Sequence, residues 1–419
     1  MKALVYFALF VSPMGAASFH FEISGVQMSL LRITILLILI CTLILYGKRP
    51  FPGIRNPIVS YRRNRFSVLF HAIWFLWAFS SAIWSQDLEA WFKNIFFLFI
   101  CNISIFFFIN YLRTPNDIFK GLKSLLLGIE LQAIIGWYEI FTKDYRFIPM
   151  TERNIRAYIN QGTCIPVTMA GNPNNFALMM IVGVFIAYIC IRQSKKKSLK
   201  LFYTSIIINN IILIFATTSR SGILGLILGS ILVLYFEKKI KFIIILGLVA
   251  IAFYMPKVTS GLVRMLQFNY TAKTGSDFAR INLIKNGIEF LKDTYGFGVG
   301  AGQIEFWMQN SPKYYTENII NMHNWWMECL VAYGFPIFMG YLIYYIKMFL
   351  DNYKSAKATP KSPLERALSL AICAIMLGFV IACMGPSSLI SSEWLWLFWG
   401  ICIAYQGLQK ISMKFDNRI

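Results

Sequence analysis

Residues 27–47 read QMSLLRITILLILICTLILYG, and residues 48–65 continue KRPFPGIRNPIVSYRRNR. As a helix, the first run is long enough to cross a hydrocarbon layer about 30 Å thick, at about 1.5 Å per residue. The second run carries Lys48, Arg49, Arg55, Arg62, Arg63 and Arg65 with no acid. An apolar span closed by an acid-free basic block is the signature of a membrane crossing that ends on the cytoplasmic side. The same pairing returns at Arg192, Lys195, Lys196, Lys197 and Lys200, and again at Lys238, Lys239 and Lys241.

Working outward from these anchors gives about twelve spans with both termini cytoplasmic. They fall near 3–19, 27–47, 66–84, 92–112, 118–141, 174–191, 201–217, 221–236, 240–255, 324–347, 367–384 and 389–409. The first of them lacks a convincing cleavage site and reads as a span rather than a removable signal. The 419 residues are 57% hydrophobic and 14% charged, with mean hydropathy +0.59. A soluble domain carries about 25% charged residues. The fold class is therefore all-α: a polytopic membrane helical bundle forming a single integral membrane domain over 1–419. Its net charge of +21 is accounted for by the cytoplasmic basic blocks facing membrane lipid. No basic-aromatic module accompanies it, so no nucleic acid partner is expected. Eight cysteines without a CxxC spacing and only three histidines argue against a disulfide framework or a metal site, and no cofactor is expected.

Two outward loops, 142–173 and 256–323, exceed what a simple connection needs, and loops beyond about 15 residues are often functional. Within the second, Phe278, Ile281, Ile284, Ile288 and Leu291 recur at helical spacing, opposite Asp277, Arg280, Lys285, Glu289 and Lys292. This predicts an amphipathic helix resting on the bilayer or the bundle mouth.

Polar residues gather on the same side. Thr217-Thr218-Ser219-Arg220-Ser221-Gly222 joins two spans, and its free helix-start N–H groups with Arg220 suit an anion. A snorkelling arginine would explain Arg220 as well. Arg280 opens the amphipathic helix; Arg146, Arg153, Arg156 and Arg264 add charge nearby. Asn174, in Gly171-Asn172-Pro173-Asn174-Asn175, starts another span, and Asp87 reads as a cap. The glycines Gly298, Gly300 and Gly302 suggest a tight re-entry with close backbone approach rather than a phosphate loop, since no Walker ending follows. His323 is the one side chain there that titrates near neutral pH. Asn324 and Glu328 share a helix face, whereas Glu328 is roughly 140° round the helix from His323 at about 3.6 residues per turn. Glu130, deep in a span, requires a partner.

In this order the residues resemble the O-antigen ligase and polysaccharide polymerase family. The resemblance rests on Ser219 to Gly222, Arg280, Gly298/Gly300/Gly302, His323-Asn324 with Glu328, and Tyr333-Gly334. Trp84-Ser85-x-Asp87 and Asn172-Pro173-Asn174 are also similar to family features. It implies an inverting, metal-independent glycosyltransferase in a bacterial inner membrane with an extracytoplasmic active site. The implied donor is an undecaprenyl-diphosphate-linked glycan, and the acceptor a glycan or a lipid. His323, Arg220 and Arg280 would be catalytic. Ser219, Ser221, Asn324, Glu328, Gly298, Gly300, Gly302 and Asn174 would bind substrate. A repeat-unit polymerase is expected ahead of a ligase acting on lipid A-core, because no acceptor-binding domain is appended. A flippase for lipid-linked oligosaccharide is the alternative of another class, although inverted-repeat signals are few.

Overall fold

The computed structural model describes residues 1–18, 21–23, 26–48, 57–148, 155, 158–159, 164–239, 241–242, 244–245, 247, 276–358 and 362–416. Helices dominate them: α1 (Lys2–Val11), α2 (Leu30–Lys48), α3 (Pro57–Ser80), α4 (Leu88–Tyr111), α5 (Pro115–Thr142), α6 (Pro173–Gln193) and α7 (Lys197–Ala216). After them come α8 (Arg220–Phe236), α9 (Ser276–Asp293), α10 (Ile304–Asn310), α11 (Trp325–Lys357), α12 (Pro363–Ala382) and α13 (Glu393–Asp416). Six helical stretches are long and apolar enough to cross a membrane, Asn64–Ile83, Leu88–Tyr111, Pro173–Gln193, Lys197–Ala216, Trp325–Lys357 and Pro363–Ala382. Every segment read as a span coincides with a helix except 240–255, which lies largely outside the described residues. The described residues are almost entirely helical, and the chain is a multi-pass membrane protein.

Two details depart from expectation. The first span is broken: α1 stops at Val11, and a 3-10 turn containing Pro13 and Gly15 follows. Ten helical residues reach only about 15 Å, half the hydrocarbon thickness. Between α1 and α2 lies a small antiparallel hairpin, Phe21–Ile23 against Val26–Met28, with Phe21 opposite Met28.

Helix starts follow local chemistry. Asp87 caps α4 by accepting the Ala90 N–H at 2.9 Å. Thr114 and Asp117 cap α5 reciprocally with Pro115 at the first turn, a capping box. Asn172-Pro173 and Ser362-Pro363 open α6 and α12 in the same way. α6 is largely enclosed, buried from Pro173 to Cys190 apart from Asn174 and Tyr188. Beside it, α8 meets α12 backbone to backbone: a Cβ on Gly225 would sit 2.7 Å from the Gly378 carbonyl. Small residues allow such approach where lipid supplies no hydrophobic drive. Glu130 finds its partner in Asn210 of α7, whose Nδ2 donates to it at 2.9 Å.

Candidate active site

The loop between α12 and α13, residues 385–390, is where the predicted residues meet. The His323 backbone N–H donates to the Ser387 carbonyl at 3.2 Å. From the same helix region, the buried Glu328 carboxylate accepts the Ser388 hydroxyl and the N–H groups of Leu389 (3.0 Å) and Ile390 (3.4 Å). From α6, the Asn175 side chain accepts the Ser387 N–H at 3.2 Å. From α8, Ser221 crowds the loop: a Cβ on Gly385 would lie 2.4 Å from its hydroxyl and 2.9 Å from Asn174 Oδ1. Three helices thus fasten one short loop.

His323 is half-buried on that loop, with its backbone in the left-handed region at φ 50°. A non-glycine residue held there costs about 1–3 kcal/mol, so the surrounding bonds determine its position. Its Nδ1 lies 3.2 Å from the Gly385 carbonyl. A carbonyl only accepts, so Nδ1 carries the proton and Nε2 of the neutral ring is left as a base. Burial holds the imidazole below its ordinary value, and the Arg280 charge pushes the same way, against the opposing pull of the Gly385 bond. His71, the other described histidine, is enclosed among Phe70, Trp74, Tyr344 and Trp396, with Nδ1 2.8 Å from the Ser67 carbonyl of its own helix.

Arg220 is the first residue of α8 and is exposed. Ser219 caps that helix, accepting the Gly222 N–H at 3.1 Å while its hydroxyl donates to Asn174 Oδ1 at 2.7 Å. This bond ties the arginine turn to the start of α6, beside Gly385. Arg280 comes from α9, which packs against the entry to α11: a Cβ on Gly287 would meet Val331 at 2.8 Å and Met322 at 3.0 Å.

The buried face of α9 is not the one its apolar spacing predicts. Ile281 and Ile288 are exposed, whereas Asn282 and Asn286 are buried. Their side-chain amides donate to the Tyr315 and Tyr314 carbonyls at 2.7 and 2.8 Å, and Asn286 Oδ1 accepts the N–H groups of Lys313 and Tyr314. Hydrogen bonds to an irregular segment, rather than hydrophobic periodicity, orient this helix. Arg146 pairs with Asp144 at 2.5 Å; Arg153, Arg156 and Arg264 lie outside the described residues.

Other predicted residues occupy supporting places. Asn324 caps α11, its side-chain oxygen accepting from Trp326 and Met327. Glu328 is turned into the protein and engaged with the 385–390 loop rather than presented to a ligand. The glycine segment packs on α11 where that helix unwinds: Val299 and Gly300 donate to the carbonyls of Val331 and Ala332, and Phe335 donates to that of Gly296. A Cβ on Gly298 would lie 2.5 Å from the Gly334 nitrogen, and one on Gly302 2.5 Å from the Ala90 carbonyl. This is the close backbone approach the sequence suggests.

Two features escaped sequence reading. Gly385-Pro386-Ser387-Ser388 reads as a mere connector, yet it is the hub. Arg32 and Glu393 sit inside apolar segments and pair at 2.5 Å, with side chains only 14% and 3% exposed. Charges within spans are costly and often functional, which was the available signal. Among the described residues no cluster of His, Cys, Asp and Glu is arranged to hold a metal.

Fold and site define a multi-pass membrane protein in which His323, Glu328 and the Ser219–Ser221 turn abut one short loop between two helices. Residues 205–342, which hold Arg220, Arg280 and His323, match the family model described as O-antigen ligase, so the family resemblance drawn from the motifs holds. Over 362 residues the chain is 23% identical to the teichuronic acid biosynthesis protein TuaE of Bacillus subtilis, covering 84% of this chain and 73% of that one.

Proposed function

We propose that the protein is an inverting glycosyltransferase that moves an oligosaccharide from an undecaprenyl-diphosphate-linked donor onto a glycan acceptor at the extracytoplasmic face of a bacterial inner membrane. The observation that carries this reading is the gathering of His323, Arg280 and the Arg220 turn around the 385–390 loop. His323 Nε2 takes the proton of the acceptor hydroxyl. The hydroxyl oxygen bonds to the anomeric carbon, and the bond from that carbon to the diphosphate oxygen breaks with its electron pair. The charge left on the lipid diphosphate is met by the guanidinium groups of Arg220 and Arg280, in the role metal ions take elsewhere. Ser219, Ser221 and Asn174 set the Arg220 turn, Asn324 starts the helix behind His323, and Gly298, Gly300 and Gly302 let the preceding loop approach it. Glu328 acts as a positioning residue through the loop.

Repeat-unit polymerisation is the favoured activity, in keeping with a relative named for teichuronic acid biosynthesis. Ligation of a finished glycan, to lipid A-core or another acceptor, is the second reading, favoured by the description of the matching family. In liposomes holding purified protein and the lipid-diphosphate-linked repeat unit, His323→Ala and Arg280→Ala leave the protein folded and inserted. Each is expected to slow transfer by about 10² to 10⁴. Full activity in His323→Ala removes the base, and export of intact donor without a new glycosidic bond makes the protein a transporter. In cells lacking the protein, single repeats on the acceptor mark a polymerase, and a polymer ladder left on the lipid carrier marks a ligase.

A further inference from the structure

A polar cavity of about 330 Å³ is bordered by Ser387, Ser388, Ser391 and Ser392 of the 385–392 segment, and neither Arg220 nor Arg280 lines it. Its wall carries Arg32, Glu393, Glu305, Asn321, Ser387 and Trp394. Two connections bring it to the candidate base. Asn321 stands two residues before His323, and the Ser387 carbonyl accepts the His323 N–H. The broken end of α1 supplies its floor through Ser12, Pro13 and Gly15.

The charge on this wall differs from that on the arginine side. Two carboxylates stand against one guanidinium, and that guanidinium is already paired to Glu393. A diphosphate is repelled there. Glu393 Oε2 is buried and meets no hydrogen-bond partner among the described residues. Glu305 is accessible, yet the protein around it strips hydration and raises its carboxyl above the ordinary range. Carboxylates, side-chain amides, serine hydroxyls and an indole face form the donor and acceptor set that suits a ring bearing many hydroxyls. The volume is at the small end of organic-ligand sites, roughly 300–1,000 Å³.

We infer that this cavity is the subsite for the acceptor sugar, a neutral polyhydroxylated ring whose attacking hydroxyl is delivered past Asn321 and Ser387 to His323. The donor diphosphate and the acceptor then meet at the imidazole, one held by guanidinium groups and the other across an acidic wall. This rests on the glycosyl-transfer reading and adds where the second substrate lies.

The test uses full-length protein in nanodiscs and an alkyl glycoside of the repeat unit as probe. Binding of the glycoside is measured directly, and transfer to it is measured with the lipid-diphosphate donor. Glu305→Gln and Asn321→Ala are each expected to weaken glycoside binding and raise its KM by about tenfold, the worth of one good polar contact, with the donor KM within about twofold. His323→Ala is expected to bind the glycoside as well as the parent does. A rise in donor KM alone, or unchanged glycoside binding in both cavity variants, overturns the subsite. Retained transfer in His323→Ala with lost glycoside binding in Glu305→Gln overturns the base and leaves the subsite standing.

Discussion

At the scale of single residues, the proposed chemistry turns on His323, and its environment predicts its behaviour. Burial and the Arg280 charge both hold the imidazole below the ordinary value of about 6.5. Below that pH the unfolded chain takes up a proton that the folded ring refuses, so this group lowers stability as pH falls through about 6.5 and contributes nothing above it. In a ¹³C-histidine NMR titration of the full chain in nanodiscs, His323 is expected to titrate below about 6.5 and to move upward in Arg280→Gln. A midpoint at the ordinary value that ignores the Arg280 change refutes their proximity. His323, Arg220 and Arg280 were legible in the sequence because polar groups at the ends of apolar runs stand out. The direction of Glu328 was not. Its partners Ser388, Leu389 and Ile390 lie about sixty residues further on, and helical spacing carries no information about them.

At the scale of elements, helix starts were legible in local chemistry and helix faces less so. Asp87, Thr114, Asn172 and Ser362 cap as their types require. The orientation of α9 was misread because Asn282 and Asn286 look like surface residues until the backbone they hold is known. The unwinding of α11 was equally hidden. Gly334 sits at φ 75°, ψ 178°, and a Cβ there would lie 2.4 Å from the Gly296 carbonyl. Only glycine adopts that backbone comfortably. Gly334→Ala is expected to cost about 1–3 kcal/mol from backbone strain alone, and more from the clash, seen as a lower Tm in detergent. A variant with the parent's Tm means that the glycine loop does not dock on α11.

At the scale of the whole molecule, the sorting of charge along the helices carries the orientation. α6 begins at Pro173 beside the candidate site and ends at Gln193 beside Lys195, Lys196 and Lys197. Its 21 residues span about 30 Å, enough to set the site and the basic block on opposite sides of a bilayer, as the proposed orientation requires. Single cysteines introduced at Lys196 and Lys313, both exposed, test this in a chain whose Cys164 is serine. A membrane-impermeant thiol reagent added outside intact cells is expected to label the Lys313 position and not the Lys196 one. The opposite pattern places the site in the cytosol. The basic blocks alone motivate this orientation; the broken α1 was not legible in the sequence, since its apolar run continues past the break.

The fastening of residues 385–390 by α6, α8 and the start of α11 has a practical corollary for transplanting activity between relatives. The stretch that matches the family, 205–342, holds the proposed reagents but neither Asn175 nor the segment they are bolted to. A chimaera exchanging that stretch alone would inherit reactive groups on a foreign mount. The smallest portable cassette runs from the threshold of α6 through the first turn of α13.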